Sequence, residues 1–573
     1  MSNSQQITGA QALIKSLIAE GVDLVFGYPG GAIMPVYDAL YDCQDELRHV
    51  LVRHEQGASH AAEGYARVTR RPGVVIVTSG PGATNIITGL SDALMDSTPM
   101  VVITGQVASG MLGSEAFQET DVVAITLPIT KWACQIRRPE DIPAMVARAF
   151  YIASTGRPGP VVLDIAKDAQ VGMMTWHGYK KCDYIRSYNP CPALPASKLE
   201  AAAAIINEAR RPIIMAGHGV SIAGAEDALK ALAEKTGSPV AATLLGLSAM
   251  SSDHPLYRGM LGMHGNVAPN YLTNKADVIV GVGLRFDDRV AGLVSEYAPN
   301  ARVIHIDIDP SEDNKNVKAE CFIHGDAREV LEALLPLVKE SRHDEWLAEF
   351  DRCDEVENKV VIEPEVNPGR GLLKMGEVVS RVSEAFGNKA IVVTDVGQNQ
   401  MFAARYSRYS KPRSMVTSGG LGTMGFGLPA AIGAKMGEPD RDVVLFVGDG
   451  GLQMTIQEFG TIMQYGVNVK IVLLNNDFLG NVRQWQAMFF NNRFSQTPML
   501  NPDFVAIAAA YGIDGENVAG RDELPAAIDR MVSHEGSYII NVNIDATDMI
   551  FPMIAPGKAV DDILIDLNTK FTL

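Results

Sequence analysis

Cysteine is scarce. Cys43, Cys134, Cys182, Cys191, Cys321 and Cys353 are the six in 573 residues, and no two stand in CxxC spacing. That gives no basis for a thiol zinc cluster or a disulfide framework, and it fits a reducing compartment. No apolar run reaches the ~18–20 residues that span a bilayer. Basic runs are missing too: 49 Lys and Arg stand against 67 Asp and Glu, for a net charge of −18. Such a balance points away from nucleic acid as a partner. The first residues lack the basic n-region of a secretory signal and the Arg- and Ser-rich make-up of a transit segment. Together these absences predict a cytoplasmic protein with no membrane span.

The length predicts three or four domains, at ~100–200 residues each. A hydrophobic content of 47% is enough for large cores. Thr8 and Gln11 form a capping-box pattern ahead of Leu13, Ile14, Leu17 and Ile18 at helical spacing. Up to about residue 185, short apolar strands alternate with helical patterns; Leu24–Phe26, Val74–Val77, Met100–Ile103 and Val161–Ile165 are the clearest. Near-continuous runs of this kind suit a parallel sheet covered on both faces. Several end in glycine loops, at 27–31, 79–82 and 104–106. Turn chemistry explains each loop singly, but their repetition on one edge points to a ligand surface. Glu55 lies between the apolar Val50–Val52 and a helical pattern from Ala58 to Arg67. With little water and few obvious partners there, it is a candidate proton donor, a solvated surface glutamate being the plainer reading.

Prolines 190, 192 and 195 mark a linker over 183–197. A second α/β unit follows from 197 to 340, with strands Ile213–Met215, Val278–Val280 and Val303–Asp307. Gly217-His218-Gly219 and Gly281-Val282-Gly283 follow the first two strands, and Asp307-Ile308-Asp309 ends the third. Gly-x-Gly after a strand admits a phosphate or ribose, and a strand-end acid accepts from ribose hydroxyls. The full G-x-G-x-x-G is absent at both. A strict match at Gly420–Gly425 lacks a clear preceding strand, so it does not read as a dinucleotide fingerprint. The charged stretch 341–370 reads as a second linker with a solvated face. A third α/β unit spans 371–545, and the tail 546–573 is irregular.

Most chemistry is concentrated in Gly448-Asp449-Gly450. It follows the apolar strand Val443–Val447 and precedes a helical stretch over 455–465, and a second strand then ends on Asn475-Asn476. A right-handed βαβ unit puts both strand ends on one sheet edge. A carboxylate and a carboxamide meeting there offer the hard oxygen ligands that Mg²⁺ takes while holding a diphosphate. A helix-capping Asp and an Asn-Asn turn are the plainer alternative.

GDG followed at this spacing by NN resembles the diphosphate motif of thiamine diphosphate enzymes. The resemblance extends over residues 5–565, through VFGYPGGA (25–32), RHEQGASHAAEGYAR (53–67), SGPGATN (79–85), EAFQE (115–119), GRPGPV (156–161), MLGMHG (260–265), RFDDRV (285–290), SGGLGTMGFGLPAAIGA (418–434), GDGG (448–451) and NNDFLGNVRQWQ (475–486). On these the chain resembles the catalytic subunits of the acetohydroxyacid (acetolactate) synthase family, RFDDR and RQWQ being the narrowest signals.

That resemblance implies an α/β fold of three doubly wound parallel-sheet domains. They are a pyrimidine-binding domain over 1–185, a central Rossmann-like FAD-binding domain over 197–340 and a diphosphate-binding domain over 371–545. It implies Mg²⁺ held by Asp449, Asn476 and the Phe478 carbonyl, with Val396, Gly397, Gln398, Asn399, Gly422, Gly448, Gly450, Gly451 and Gly480 around thiamine diphosphate. Glu55 would hydrogen-bond the aminopyrimidine. Met424 would wedge the cofactor into a bent shape, although methionine also serves as core filler. Gly31 and Gln118 would steady negative charge. Arg289 would clamp the second substrate's carboxylate, a salt bridge to Asp287 or Asp288 being the plainer reading. Trp485 would shape the acceptor pocket or lie in a core, and Phe117, Lys167 and Met263 would line the channel. FAD would lie along Arg157, Gly217, Gly219, Thr243, Gly262, His264, Gly283, Arg285, Asp307 and Asp326, in a structural role.

The implied reaction joins pyruvate to a second pyruvate or to 2-oxobutyrate, giving acetolactate or acetohydroxybutyrate, the first common step of branched-chain amino-acid biosynthesis. A homodimer or homotetramer is implied, with Glu55 meeting the metal motif across a subunit interface, and a small regulatory subunit that senses valine. Two positions depart from the family pattern: Ala166 precedes Lys167 where proline is common, and Asn481 stands where many relatives carry an apolar residue. The nearest rivals are pyruvate oxidase, glyoxylate carboligase and the FAD-free catabolic acetolactate synthase, and RFDDR with Trp485 argues against them. A non-catalytic flavoprotein scaffold is a further rival, opposed by the intact Glu55, Asp449 and Asn476.

Overall fold

A computed structural model describes residues 5–573. Three six-stranded sheets, every strand parallel to its neighbours, follow one another along the chain. The first runs, edge to edge, Arg48–Leu51, Leu24–Tyr28, Gly73–Val77, Met100–Gln106, Pro160–Ala166 and Trp132–Ile136. The third runs Met415–Val416, Ile391–Thr394, Val443–Gly448, Lys470–Asn475, Tyr538–Asn543 and Asp514–Val518. Counted by chain order within each sheet, both are 2-1-3-4-6-5. The central sheet runs Tyr257–Met260, Val240–Ala242, Pro212–Ala216, Val278–Val282, Arg302–Asp307 and Cys321–His324, which is 3-2-1-4-5-6, the strand order of dinucleotide-binding folds.

Strands covered by helices on both faces need apolar residues at every position. The strand Val443–Gly448 shows the division: Val444 and Phe446 enter one core, and Val443, Leu445 and Val447 the other. The first and third domains lock together where the helix Glu55–Thr69 crosses Gly427–Gly437. Gly64 lies against the Ala430 carbonyl and Gly433 against that of Ala61, so a side chain at either glycine would strike backbone.

The capping box is present: the Thr8 hydroxyl accepts from the Gln11 N–H at 3.2 Å, and the Gln11 side chain accepts from the Thr8 N–H at 3.0 Å. Three expectations need correction. The charged stretch 341–370 is not a solvated linker, because it carries a helix, Asp344–Glu357, whose Trp346, Phe350 and Cys353 are buried in the central domain. Its Glu357 is also buried, paired with Arg405 at 2.5 Å. The helical stretch after GDG starts earlier than expected, at Asp449, and breaks into a 3₁₀ turn over Ile456–Glu458 before Phe459–Tyr465. The tail is anchored: Met553–Ile554 pairs with Ile563–Leu564, and the Ile554 N–H donates to the Met263 carbonyl at 2.8 Å. Among the described residues no helix is long and apolar enough to cross a membrane.

Candidate active site

Three helices start at the C-terminal edge of the third sheet, Gln398–Tyr406, Asp449–Thr455 and Gly480–Phe489. Their N-caps, Gly397, Gly448 and Leu479, supply no side-chain hydrogen bond. Residues at all three starts line one cavity of about 50 Å³, together with Val396, Met424, Asn476 and Phe478. Uncapped helix starts of this kind suit an anion such as a diphosphate. Gly397 has φ +137°, a conformation that glycine alone adopts without strain. A Cβ at Gly450 would lie 3.4 Å from the Met424 methyl and 2.7 Å from Leu479, so a side chain there would push these two aside.

The oxygen donors stand at the same place. Asp449 accepts from the Gly450 N–H at 3.1 Å through one oxygen and from the Asn501 side chain at 2.7 Å through the other. Burial pushes its carboxyl up to about 6. Asn476 accepts from the Phe478 N–H at 3.2 Å, which brings the amide oxygen beside the Phe478 peptide. A carboxylate, an amide oxygen and a main-chain carbonyl are a donor set suited to Mg²⁺. Sequence reasoning missed Asn501, since the Asn-Pro-Asp stretch around it reads only as turn chemistry.

A second cavity of about 580 Å³ adjoins the first, and both are lined by Val396 and Asn481. Arg157, Gly219, Thr243, Gly262, His264, Gly283, Arg285, Asp307 and Asp326 line it, and so does Gly422, which does not line the small cavity. Gly217 lies outside the lining. The amides of Gly217 and Gly219 are not free to meet a ligand there. The Gly217 N–H donates to the Val282 carbonyl at 2.9 Å and the Gly219 N–H to the Gly283 carbonyl at 3.0 Å. A Cβ at Gly219 would lie 2.6 Å from the Gly283 Cα, so these glycines permit two backbones to approach. Asp326 caps the helix Ala327–Leu334 by accepting from the N–H groups of Arg328 and Glu329. Burial pushes the Asp307 carboxyl up to about 7.

The stretch Gly420–Gly425 does follow a strand, the two-residue Met415–Val416, contrary to expectation. Several amides in and beside it are committed within the chain all the same. Gly419 and Gly420 donate to Asp96 at 2.8 and 2.6 Å, and Gly425 and Gly427 donate to Asp395.

Arg289, Met263 and Trp485 line the large cavity. The Arg289 side chain is 57% exposed and lies 3.6 Å from Asp288, a long exposed pair that contributes little and leaves the guanidinium available. Trp485 is half-buried rather than a core residue. It packs edge-on against Phe489, with ring centroids 5.5 Å apart, and also borders a neighbouring opening beside Val482 and Phe490.

The remaining predicted residues belong to the first sheet's C-terminal edge and line neither cavity. Glu55 opens the helix Glu55–Thr69, half-buried, and accepts from the Asn85 side chain at 2.9 Å, so it has the partner that the sequence did not reveal. Gln118 packs on Gly80, and the Ala32 N–H beside Gly31 donates to Thr78 at 3.3 Å, so Gly31, Glu55 and Gln118 gather round residues 78–85. Phe117 is 89% exposed, and Lys167 is exposed at the start of a short helix. The N–H groups of Arg53 and His54 donate to Glu458 at 3.0 and 3.1 Å. Glu458 lies in the 3₁₀ turn after the helix that Asp449 begins, and the small cavity is lined on that helix only as far as Gly451. Within one chain, therefore, Glu55 and the oxygen donors form two separate half-sites.

Family models of thiamine pyrophosphate (diphosphate) enzymes match in three consecutive pieces. The N-terminal TPP binding domain matches residues 7–125, the central domain 199–334 and the C-terminal TPP binding domain 395–542. The chain is 43% identical over 567 residues to the acetolactate synthase isozyme 2 large subunit of Escherichia coli, covering 98% of this chain and 100% of that one. It is 44% identical over 577 residues to the acetolactate synthase large subunit of Corynebacterium glutamicum, covering 99% and 91%. It is 43% identical over 571 residues to the probable acetolactate synthase large subunit of Methanocaldococcus jannaschii, covering 98% and 96%. The chain belongs to the acetolactate synthase large-subunit family of thiamine pyrophosphate enzymes.

Proposed function

We propose that this chain catalyses the acetolactate synthase reaction, joining pyruvate, with loss of CO₂, to a second pyruvate or to 2-oxobutyrate. Thiamine diphosphate, when bound, would supply the nucleophilic carbon that this chemistry needs. The protein binds, orients and stabilises charge. Asp449, Asn476 and the Phe478 carbonyl are the groups for Mg²⁺, and the helix starts at 398, 449 and 480 are those for the diphosphate. Glu55 would hydrogen-bond the pyrimidine N1′ nitrogen and hold a proton there. Met424, beside Gly450 in the small cavity, would favour the cofactor's bent shape. Gly31, through its N–H, and Gln118 stabilise the negative charge that develops on substrate oxygen. Arg289 takes the acceptor's carboxylate in a bidentate grip, and Trp485 sets how large an acceptor fits.

FAD in a structural role suits the larger cavity, where the strand-end Asp307 and Arg157 stand over a sheet of dinucleotide-binding order. Because the two half-sites lie apart in one chain, a homodimer, or a homotetramer built from it, brings Glu55 of one subunit to Asp449 of another. The relatives are named large subunits, which supports a small regulatory partner.

The observation that carries this reading is the small cavity. Uncapped helix starts line it together with Asp449, Asn476 and Phe478, and it adjoins the cavity lined by Arg289 and Trp485. The test is product analysis from pyruvate, adding thiamine diphosphate, Mg²⁺ and FAD singly and together. Acetolactate is the expected product, and acetyl phosphate with peroxide would overturn the reading.

A further inference from the structure

Beyond the expected ligands, the structure gives Asn501 an unusual set of contacts. Its side-chain NH₂ lies 2.7 Å from an Asp449 carboxylate oxygen, 3.0 Å from the Asn475 amide oxygen and 2.9 Å from an Asp477 carboxylate oxygen. Three acceptors, two of them carboxylates, crowd a group with two hydrogens to give. Its own amide oxygen accepts at 3.0 Å from Gln453, one turn beyond Asp449 on the same helix. Asn501 thus joins the strand end that carries Asp449 to the loop that carries Asn476 and Phe478.

The chain leading to Asn501 is itself fastened along that loop. The Leu479 N–H donates to the Thr497 carbonyl at 3.0 Å, the Met499 N–H donates to the Asp477 carbonyl at 2.8 Å, and Phe478 and Pro498 form a β-bridge. Residues 497–501 form a strap across 477–479, and Asn501 ties its end to Asp449. With one Asp449 oxygen held by Asn501 and the other beside the Gly450 N–H, the carboxylate is fixed in one orientation.

We propose that Asn501 is a positioning residue of the metal–diphosphate site, holding Asp449 and the 475–480 loop in the mutual register that Mg²⁺ requires. The inference rests on the reading of the small cavity as that site. Outer partners of metal ligands commonly change metal affinity ~10–100-fold when removed. A group that only filled space would lower stability without changing the metal dependence.

The test is a Mg²⁺ titration of full-length Asn501→Ala at fixed thiamine diphosphate, followed by calorimetry of cofactor binding and by the metal-induced rise in Tm, with turnover as a third readout. The half-saturating Mg²⁺ concentration is expected to rise at least ~10-fold. Turnover at saturating Mg²⁺ should recover to within a few-fold, and the Tm without metal should stay close to the parent's. Gln453→Met, which frees the other end of the Asn501 amide, should shift the same midpoint in the same direction by less, and it provides the test if the alanine variant folds poorly. A midpoint within two-fold of the parent's in a folded variant would overturn the proposal. A parent chain showing no Mg²⁺-dependent cofactor binding would overturn instead the functional reading on which it rests.

Discussion

The first and third sheets share one strand order, 2-1-3-4-6-5, and differ in what their C-terminal edges present. The third edge starts three helices without side-chain caps beside a buried carboxylate and an amide oxygen, a surface suited to a metal and an anion. The first edge offers a half-buried glutamate, an exposed glycine amide and a glutamine held at φ +61°. One topology therefore presents two different surfaces, suited on the proposed reading to holding a charged ligand and to acting on its far end, and the loops make the difference. The helix crossing at Gly64 and Gly433 locks the two domains together within a chain while leaving these edges apart.

The sharpest way to break the comparison is Glu55→Gln. Removing the first edge's acid should lower turnover at least ~10²-fold, the usual weight of a proton-transfer group, with calorimetric binding of thiamine diphosphate and Mg²⁺ retained. Near-parental turnover would show that the first edge has no proton-transfer role. A smaller effect is expected from Trp485→Leu, which enlarges the acceptor side of the third domain. In competition between pyruvate and 2-oxobutyrate, the preference for 2-oxobutyrate should fall by roughly 10-fold, the usual scale for a changed apolar contact. An unchanged product ratio would remove Trp485 from specificity.

The smallest effect concerns the central sheet, which has neither task. Burial holds the Asp307 carboxyl at about 7, above its ordinary value of 3.8. The folded chain then binds a proton there that the unfolded chain releases, so this group's contribution to stability falls as pH rises from about 4 to about 7. Asp307→Asn should flatten the decline of Tm with pH across that window. An unaltered slope in thermal scans from pH 5 to 7 would contradict the assignment.

The third edge was the most legible in sequence, because a βαβ unit fixes where Asp449 and Asn476 must end. Asn501 was not legible, since its role depends on a strap whose register no local pattern reveals. The glycines at 217, 219 and 283 were legible as special, but not that two backbones approach each other there: sequence shows that a side chain is unwelcome, not what stands in its place. The helix Asp344–Glu357 was hidden by its charge, although Trp346, Phe350 and Cys353 recur at helical spacing on the buried face. Glu55 was found in sequence, and the family resemblance already set it apart from Asp449; its partner Asn85 required the fold.

The central claim is that one working site takes Glu55 from one subunit and Asp449 from another. Mixing inactive Glu55→Gln chains with inactive Asp449→Ala chains under conditions of subunit exchange tests it directly. In a symmetric dimer, a mixed pair has one doubly altered site and one intact site, so random exchange should restore roughly a quarter of parental turnover. If both half-sites served the same subunit, no mixed dimer would hold an intact site, and a mixture that stays inactive despite demonstrated exchange would contradict the account.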